Sequence, residues 1–112
     1  MKISSPNVAR DVAEISFTVT AKADLAAIDE YGAEQFGDDV SDEYSRGFVQ
    51  AFDLLRDHPL AGAAHPELGK NIRCLVHRRH RIFYRADNNV VLVIRIIHHA
   101  RDAKRELRRA RK

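Results

Sequence analysis

Hydrophobic and polar positions change their period along this chain, and each change predicts a new element. Ile15, Phe17 and Val19 alternate with Ser16, Thr18 and Thr20, a period of two that predicts a half-buried strand over 15–20. From Ala21 the spacing becomes helical: Leu25, Ile28, Gly32 and Phe36 recur at helical spacing, with Asp24, Asp29, Glu30 and Glu34 elsewhere round the helix. Gly37 reads as a helix stop, and Asp38 or Asp39 as the cap of a second helix. In that helix Val40, Tyr44, Phe48, Ala51 and Leu55 form the inward stripe, and Pro59 closes it. Two helices joined by so short a loop predict an αα-hairpin.

The stretch LAGAAHPELGKN reads as a loop punctuated by Gly62, Pro66 and Gly69. Three strands follow, IRCLVH (72–77), RIFYRAD (81–87) and VVLVIRII (90–97), the last two joined by Asn88-Asn89, a pair suited to positive φ. The last strand is almost continuously apolar, which predicts a central strand covered on both faces. The order is strand, αα-hairpin, then a three-stranded antiparallel meander. Helices packed on one face of a small, mainly antiparallel sheet make this an α+β domain. Residues 1–14, polar and without sustained period, read as an N-terminal extension.

At 112 residues the chain is long enough for one domain with a core. It has no apolar run near the ~20 residues that span a bilayer, and its single Cys74 can form neither an internal disulfide nor a cysteine-based zinc site. No membrane association and a cytoplasmic location are the expectations. The net charge of +3 conceals a polarity: residues 1–57 carry 5 Lys/Arg against 12 Asp/Glu, and residues 58–112 carry 14 against 4. An acidic face and a basic face are implied, the basic one suited to nucleic acid or to an acidic protein. The tail RDAKRELRRARK concentrates seven cations in its twelve residues, more than solubility requires.

Alternation places Arg73, Leu75 and His77 on one face of their strand and Ile72, Cys74 and Val76 on the other. By the same rule Val91, Val93, Arg95, Ile97 and His99 share a side of the last strand, with Leu92, Ile94, Ile96 and His98 opposite. Arg95, the one charge in that strand, is open to two readings: a structural partner for Asp87 or a helix carboxylate, or a functional cation converging with Arg73 and Arg85. His98 and His99 on opposite faces argue against a two-histidine metal site, and no metal or cofactor is expected. Either imidazole has the chemistry of a general acid or base. Cys74 reads as a core residue.

Taken in order, ADLAAIDEYGAEQFG, HPLAG, ELGKNIRCLVHRRHRIFYR and VVLVIRIIHHARD resemble the RelE/ParE superfamily, the toxins of type II toxin–antitoxin pairs, over about Ile15 to Asp102. Within it HRIFYR followed by RIIHHARD is more similar to the ParE-like branch. That resemblance implies a non-enzymatic poison of DNA gyrase with no catalytic residues. Its target-binding surface would then be Arg78 and Arg79 at the hairpin tip, Arg95, and Arg101, Arg105, Arg108 and Arg109. The RelE-like alternative implies a ribosome-dependent nuclease of messenger RNA, with Arg73 and Arg81 as cations and His98 or His99 as the base. Either branch implies a cognate ParD-like or similar antitoxin, seated between the helices and the sheet near Leu25, Ile28, Tyr44, Phe48 and Phe52. The domain is expected over 15–112, with a tail whose loss from Arg105 to Lys112 abolishes toxicity and leaves the fold and antitoxin binding largely intact.

Overall fold

The computed structural model describes residues 12–108. Strand β1 (Glu14–Phe17) leads into helices α1 (Val19–Phe36) and α2 (Asp38–Asp57). The two-residue strand β2 (Ala63–Ala64) and a 3-10 turn at Pro66–Leu68 precede β3 (Ile72–His77), β4 (His80–Asp87), β5 (Val90–His98) and the short helix α3 (Ala103–Leu107). The sheet order is β1-β5-β4-β3-β2, with β1 parallel to β5 and every other pair antiparallel. The strand, αα-hairpin and meander of the α+β reading are all present. The stretch that reads as pure loop contributes β2, which pairs Ala63 with Cys74 and Ala64 with Arg73.

The sheet has a core on each face. On one side α1 and α2 cover Ile82, Tyr84, Val91, Val93 and Ile96 with Ala21, Phe48, Phe52 and Leu55. On the other, Ile72, Cys74, Phe83, Ile94 and Ile97 are covered by Leu68, Ala103 and Leu107. The continuous apolar run of β5 thus occupies the doubly covered position its composition predicts. Cys74 is buried, and burial, only partly offset by the charge of Arg81, pushes its thiol pKa up. Asn88 and Asn89 both take positive φ in the β4–β5 turn, as their short polar side chains permit.

Three local expectations are corrected. The first strand ends at Phe17 because Thr18 caps α1: its Oγ1 accepts from the Ala21 N–H at 2.9 Å. Val19 is therefore an exposed first-turn helix residue and not a strand residue facing inward. The second helix is capped by Gly37, with Asp38 and Asp39 in its first turn, where carboxylates complement the helix dipole. In β5 a bulge sets Phe83 opposite Arg95 but Tyr84 opposite Val93, leaving Ile94 as the extra residue. Strict alternation fails there: Val91, Val93 and Ile96 face the helices, whereas Ile94 and Ile97 face away. Thr18 secures the bulge, its N–H donating to the Val93 carbonyl and its hydroxyl to the Ile94 carbonyl at 2.7 Å.

The tail also differs from expectation. Asp102 caps α3 by accepting from the N–H groups of Lys104 and Arg105, and Glu106 turns inward and is buried. With Leu107 packed on the second core, residues past Arg105 are part of the fold. Of the expected N-terminal extension, Ala13 is buried and donates its N–H to the Arg56 carbonyl, and Glu14 begins β1. Val12 is exposed, and residues 1–11 and Arg109 lie outside the described residues.

Candidate functional site

Where the αα-hairpin meets the tip of the β3–β4 hairpin, the surface opens into a cleft of about 440 Å³. Its helix wall is Ile28, Tyr31 and Phe36 from α1 with Val40 and Tyr44 from α2; Arg79, His80 and His98 close the sheet side. A second opening of about 250 Å³ shares Ile28, Tyr31, His80 and His98 and continues along β5 to Asp24, Arg95 and Arg101. Tyr31, Phe36 and Val40 are 61%, 62% and 55% exposed, so more than half the apolar surface of each faces water. A contiguous exposed apolar patch of this kind marks an interaction surface. Gly32 lets the helices approach, since a Cβ there would lie 3.0 Å from the Ser41 hydroxyl. Asp29 accepts from the hydroxyls of Ser41 and Ser45, fastening the hairpin beside the cleft.

The floor at the hairpin end is a row of histidines. His77 pairs with His80 and His80 with His98, so the three cross β3, β4 and β5 side by side. His80 Nδ1 lies 2.7 Å from the Tyr44 hydroxyl, and its ring centroid is 5.6 Å from that of His98. His77 packs edge-on to Phe48 at 4.5 Å and sits over Gly47, where a Cβ would come within 2.3 Å of its ring. Burial, reinforced by the neighbouring His98, His77 and His99, lowers the His80 pKa to about 4. His80 is therefore neutral at physiological pH. Burial also lowers the His77 pKa, against the hydrogen bond to the Tyr44 carbonyl.

His98 and His99 do not diverge as simple alternation predicts. β5 ends at His98, the chain turns, and the two rings lie 4.4 Å apart. The Ala100 N–H donates to His98 Nδ1 at 3.2 Å, which leaves Nε2 as the protonated nitrogen of the neutral ring.

The arginines do not converge. Arg73 pairs with Tyr84, on the helix side of the sheet, and donates to the carbonyls of Gly62 at 2.7 Å and Leu60 at 3.2 Å. Arg81 pairs with Ile97 on the opposite face and donates to the Arg101 carbonyl at 2.6 Å, its guanidinium 5.3 Å from the Phe83 ring centroid. Arg85 lies opposite Ile72 and Leu92, on the same side as Arg81.

Arg95 is only 8% exposed and is not a surface cation. Its Nε and Nη2 donate to the two carboxylate oxygens of Asp24 at 2.7 and 2.9 Å, and its Nη1 to the carbonyl and carboxylate of Glu106. The hydrogen bonds and charge of Asp24 raise its pKa further. This is the structural reading of Arg95: it joins α1, β5 and α3. Of the cations expected to bind a target, Arg78 and Arg79 on the turn and Arg101, Arg105 and Arg108 after β5 are exposed, Arg101 with its Nη1 3.3 Å from the Glu106 carboxylate. The His99 N–H donates to the Arg79 carbonyl, so turn and tail emerge at the same end of the sheet.

Of the groove residues expected from the sequence, Ile28 and Tyr44 line the cleft, Leu25 is half-buried against the core, and Phe48 and Phe52 are core. Tyr31 joins the cleft without having been expected there, and Phe36 and Val40 face outward where their helical spacing predicts inward. The signal available for Phe36 and Val40 is that they fall at the ends of helices meeting at Gly37. Tyr84, the one tyrosine past the helices, is buried and structural: its hydroxyl donates to the Pro59 carbonyl and accepts from the Gly62 N–H. Among the described residues no group of three or more His, Cys, Asp or Glu is placed to hold a metal ion.

Chains solved within toxin–antitoxin systems share this architecture. A structure described as the chromosomal ParDE system of P. aeruginosa superposes with a TM-score of 0.66 at 21% identity, covering 79% of this chain and 97% of that one. The toxin–antitoxin complex RelBE2 of Mycobacterium tuberculosis superposes at 0.58 with 24% identity, covering 78% and 98%. In sequence the chain is 29% identical over 87 residues to Toxin ParE1 of Caulobacter vibrioides, 78% of this chain and 90% of that protein. The profile described as ParE toxin of type II toxin-antitoxin system, parDE, matches residues 15–103. The chain belongs to the ParE toxin family.

Proposed function

We propose that this toxin arrests growth without catalysing a reaction, by trapping DNA gyrase on cleaved DNA. In this reading a cognate antitoxin neutralises it by laying an apolar segment in the cleft of Ile28, Tyr31, Phe36, Val40 and Tyr44. One observation weighs most against the nuclease alternative. Arg73 and Arg81 lie on opposite faces of the sheet, and each has an Nη committed to a main-chain carbonyl. A phosphodiester transition state needs cations converging with a base on one oxyanion, and His80, the imidazole held best in place by a side-chain partner, is neutral and already bonded to Tyr44.

The gyrase contact falls to exposed cations of the turn and the tail: Arg78 and Arg79 with Arg101, Arg105 and Arg108 beyond β5. Arg95 takes no part in it. A gyrase target implies action in the cytoplasm, and no helix among the described residues is long and apolar enough to cross a membrane.

The test is a supercoiling assay with purified protein, run beside primer extension on messages after induction. Supercoiling is inhibited, cleaved DNA accumulates, antitoxin reverses both, and messages stay intact. Untouched gyrase at large excess together with cleaved message rejects the proposal.

A further inference from the structure

We infer that Glu106 is a positioning residue for target binding: bonded to both Arg95 and Arg101, it fixes α3 on the sheet and so sets where Arg101, Arg105 and Arg108 present their charge. This rests on the reading above that the tail cations contact gyrase, and it adds the residue that aims them.

Residues 101–112 hold two carboxylates among seven cations, and both carboxylates hold the tail in place. Asp102 caps α3. Glu106 is only 6% exposed although its helix has five residues. Its Oε1 accepts from Arg95 Nη1 at 3.2 Å, its carbonyl from the same nitrogen at 2.8 Å, and its Oε2 from Arg101 Nη1 at 3.3 Å. Although burial favours the neutral form, the hydrogen bond from Arg101 and the charges of Arg95 and Arg101 hold the carboxyl below the usual carboxylate range. Arg95 is bound in turn to Asp24, so a chain of ion pairs runs from α1 through β5 into α3 and out to Arg101.

A helix this short falls far below the ~12–15 residues that stand alone in water, so α3 exists by its anchors. Leu107 on the second core supplies burial, which has no direction. Glu106 supplies direction. A buried ion pair is a poor source of stability, since apolar side chains of similar volume often do as well, and what it adds is one defined arrangement. Arg101 shows the result. Its side chain is 65% exposed, yet Nη1 is held by Glu106, its N–H donates to the His98 carbonyl at 2.9 Å, and its carbonyl accepts from Arg81 Nη2 at 2.6 Å. A guanidinium held by one nitrogen keeps its other donors for a phosphate or carboxylate.

Charge and position make opposite predictions for E106Q. The substitution removes a negative charge beside the tail. A tail acting through charge alone would then bind a gyrase–DNA complex more tightly, with an equal or steeper salt slope. A tail aimed by Glu106 is released instead, and each long side chain ordered again on binding lowers affinity by about 2–10-fold.

The experiment titrates the full chain onto purified gyrase loaded on duplex DNA at several salt concentrations, beside titration with its cognate antitoxin. In E106Q gyrase affinity is expected to fall about tenfold with a shallower salt slope, while antitoxin affinity stays within about twofold of wild type. R101K keeps the charge but not the planar fork that Glu106 holds, and is expected to lose about fivefold. Altered only at the surface, R101K decides the matter should E106Q melt below the assay temperature. Gyrase affinity in E106Q at or above wild type, a steeper slope, or wild-type affinity in R101K overturns the proposal. So does an antitoxin affinity that falls in step with the gyrase affinity, which marks a general structural role. Wild-type gyrase affinity in R105Q/R108Q brings down instead the reading of the tail on which the proposal stands.

Discussion

Replacing Asp24 by Ala tests how α1 is held to the sheet. The carboxylate accepts three hydrogen bonds, from Arg95 Nε at 2.7 Å, Arg95 Nη2 at 2.9 Å and the Ile96 N–H at 2.9 Å. β1 stops at the level of Val93, so Asp24 does for the Ile96 amide what a continued strand would do. The two side chains are 10% and 14% exposed, placing the pair close to the buried limit. Removing one partner of a buried pair costs about 3–5 kcal/mol because a charge is left behind.

Here Glu106 still bonds Arg95, so the lower end, ~3 kcal/mol, is expected. A domain of this size has ~5–15 kcal/mol in total. With m about 1.5 kcal/mol/M, the urea midpoint falls by ~2 M. D24N keeps an acceptor for Ile96 and loses about half as much. Crossing D24A with R95M closes a double-mutant cycle in which the pair couples by ~2 kcal/mol. A D24A loss below ~1 kcal/mol that adds independently to R95M would refute the reasoning.

Stability should fall as pH drops from 6.5 to about 4, because the unfolded chain binds a proton that folded His80 refuses. The slope is at most ~1.4 kcal/mol per pH unit, less for a half-exposed ring screened by water, and urea melts of H80Q should be flatter over that window. G62A places a Cβ 2.7 Å from the Cys74 carbonyl and 2.8 Å from the Tyr84 hydroxyl, and should lose ~2 kcal/mol in thermal melts through overpacking. Ending the chain after Asp102 withdraws Glu106 from Arg95 and Leu107 from the second core, so the melting temperature falls. The pair R105Q/R108Q removes charge alone: melting should hold, while the salt slope of gyrase–DNA binding becomes shallower by ~0.9 for each phosphate the two arginines neutralise.

The sequence by itself determined the elements, because period, caps and turn residues are local. The αα-hairpin follows from the helical spacing either side of Gly37, the β4–β5 turn from Asn88-Asn89, and the central place of β5 from its unbroken apolar run. The order of landmarks also carried the family. Tertiary structure alone decided which side chains meet. One extra residue at Ile94 slipped the alternation of β5, and a partner 71 positions away in sequence turned Arg95 into the tie to α1. His77, His80 and His98 form a row only through cross-strand register, which a single chain's period does not contain. Phe36 and Val40 have the spacing and composition of core residues. They are exposed because the cleft they line is closed on the sheet side only by Arg79, His80 and His98, and that is a fact of packing rather than of pattern.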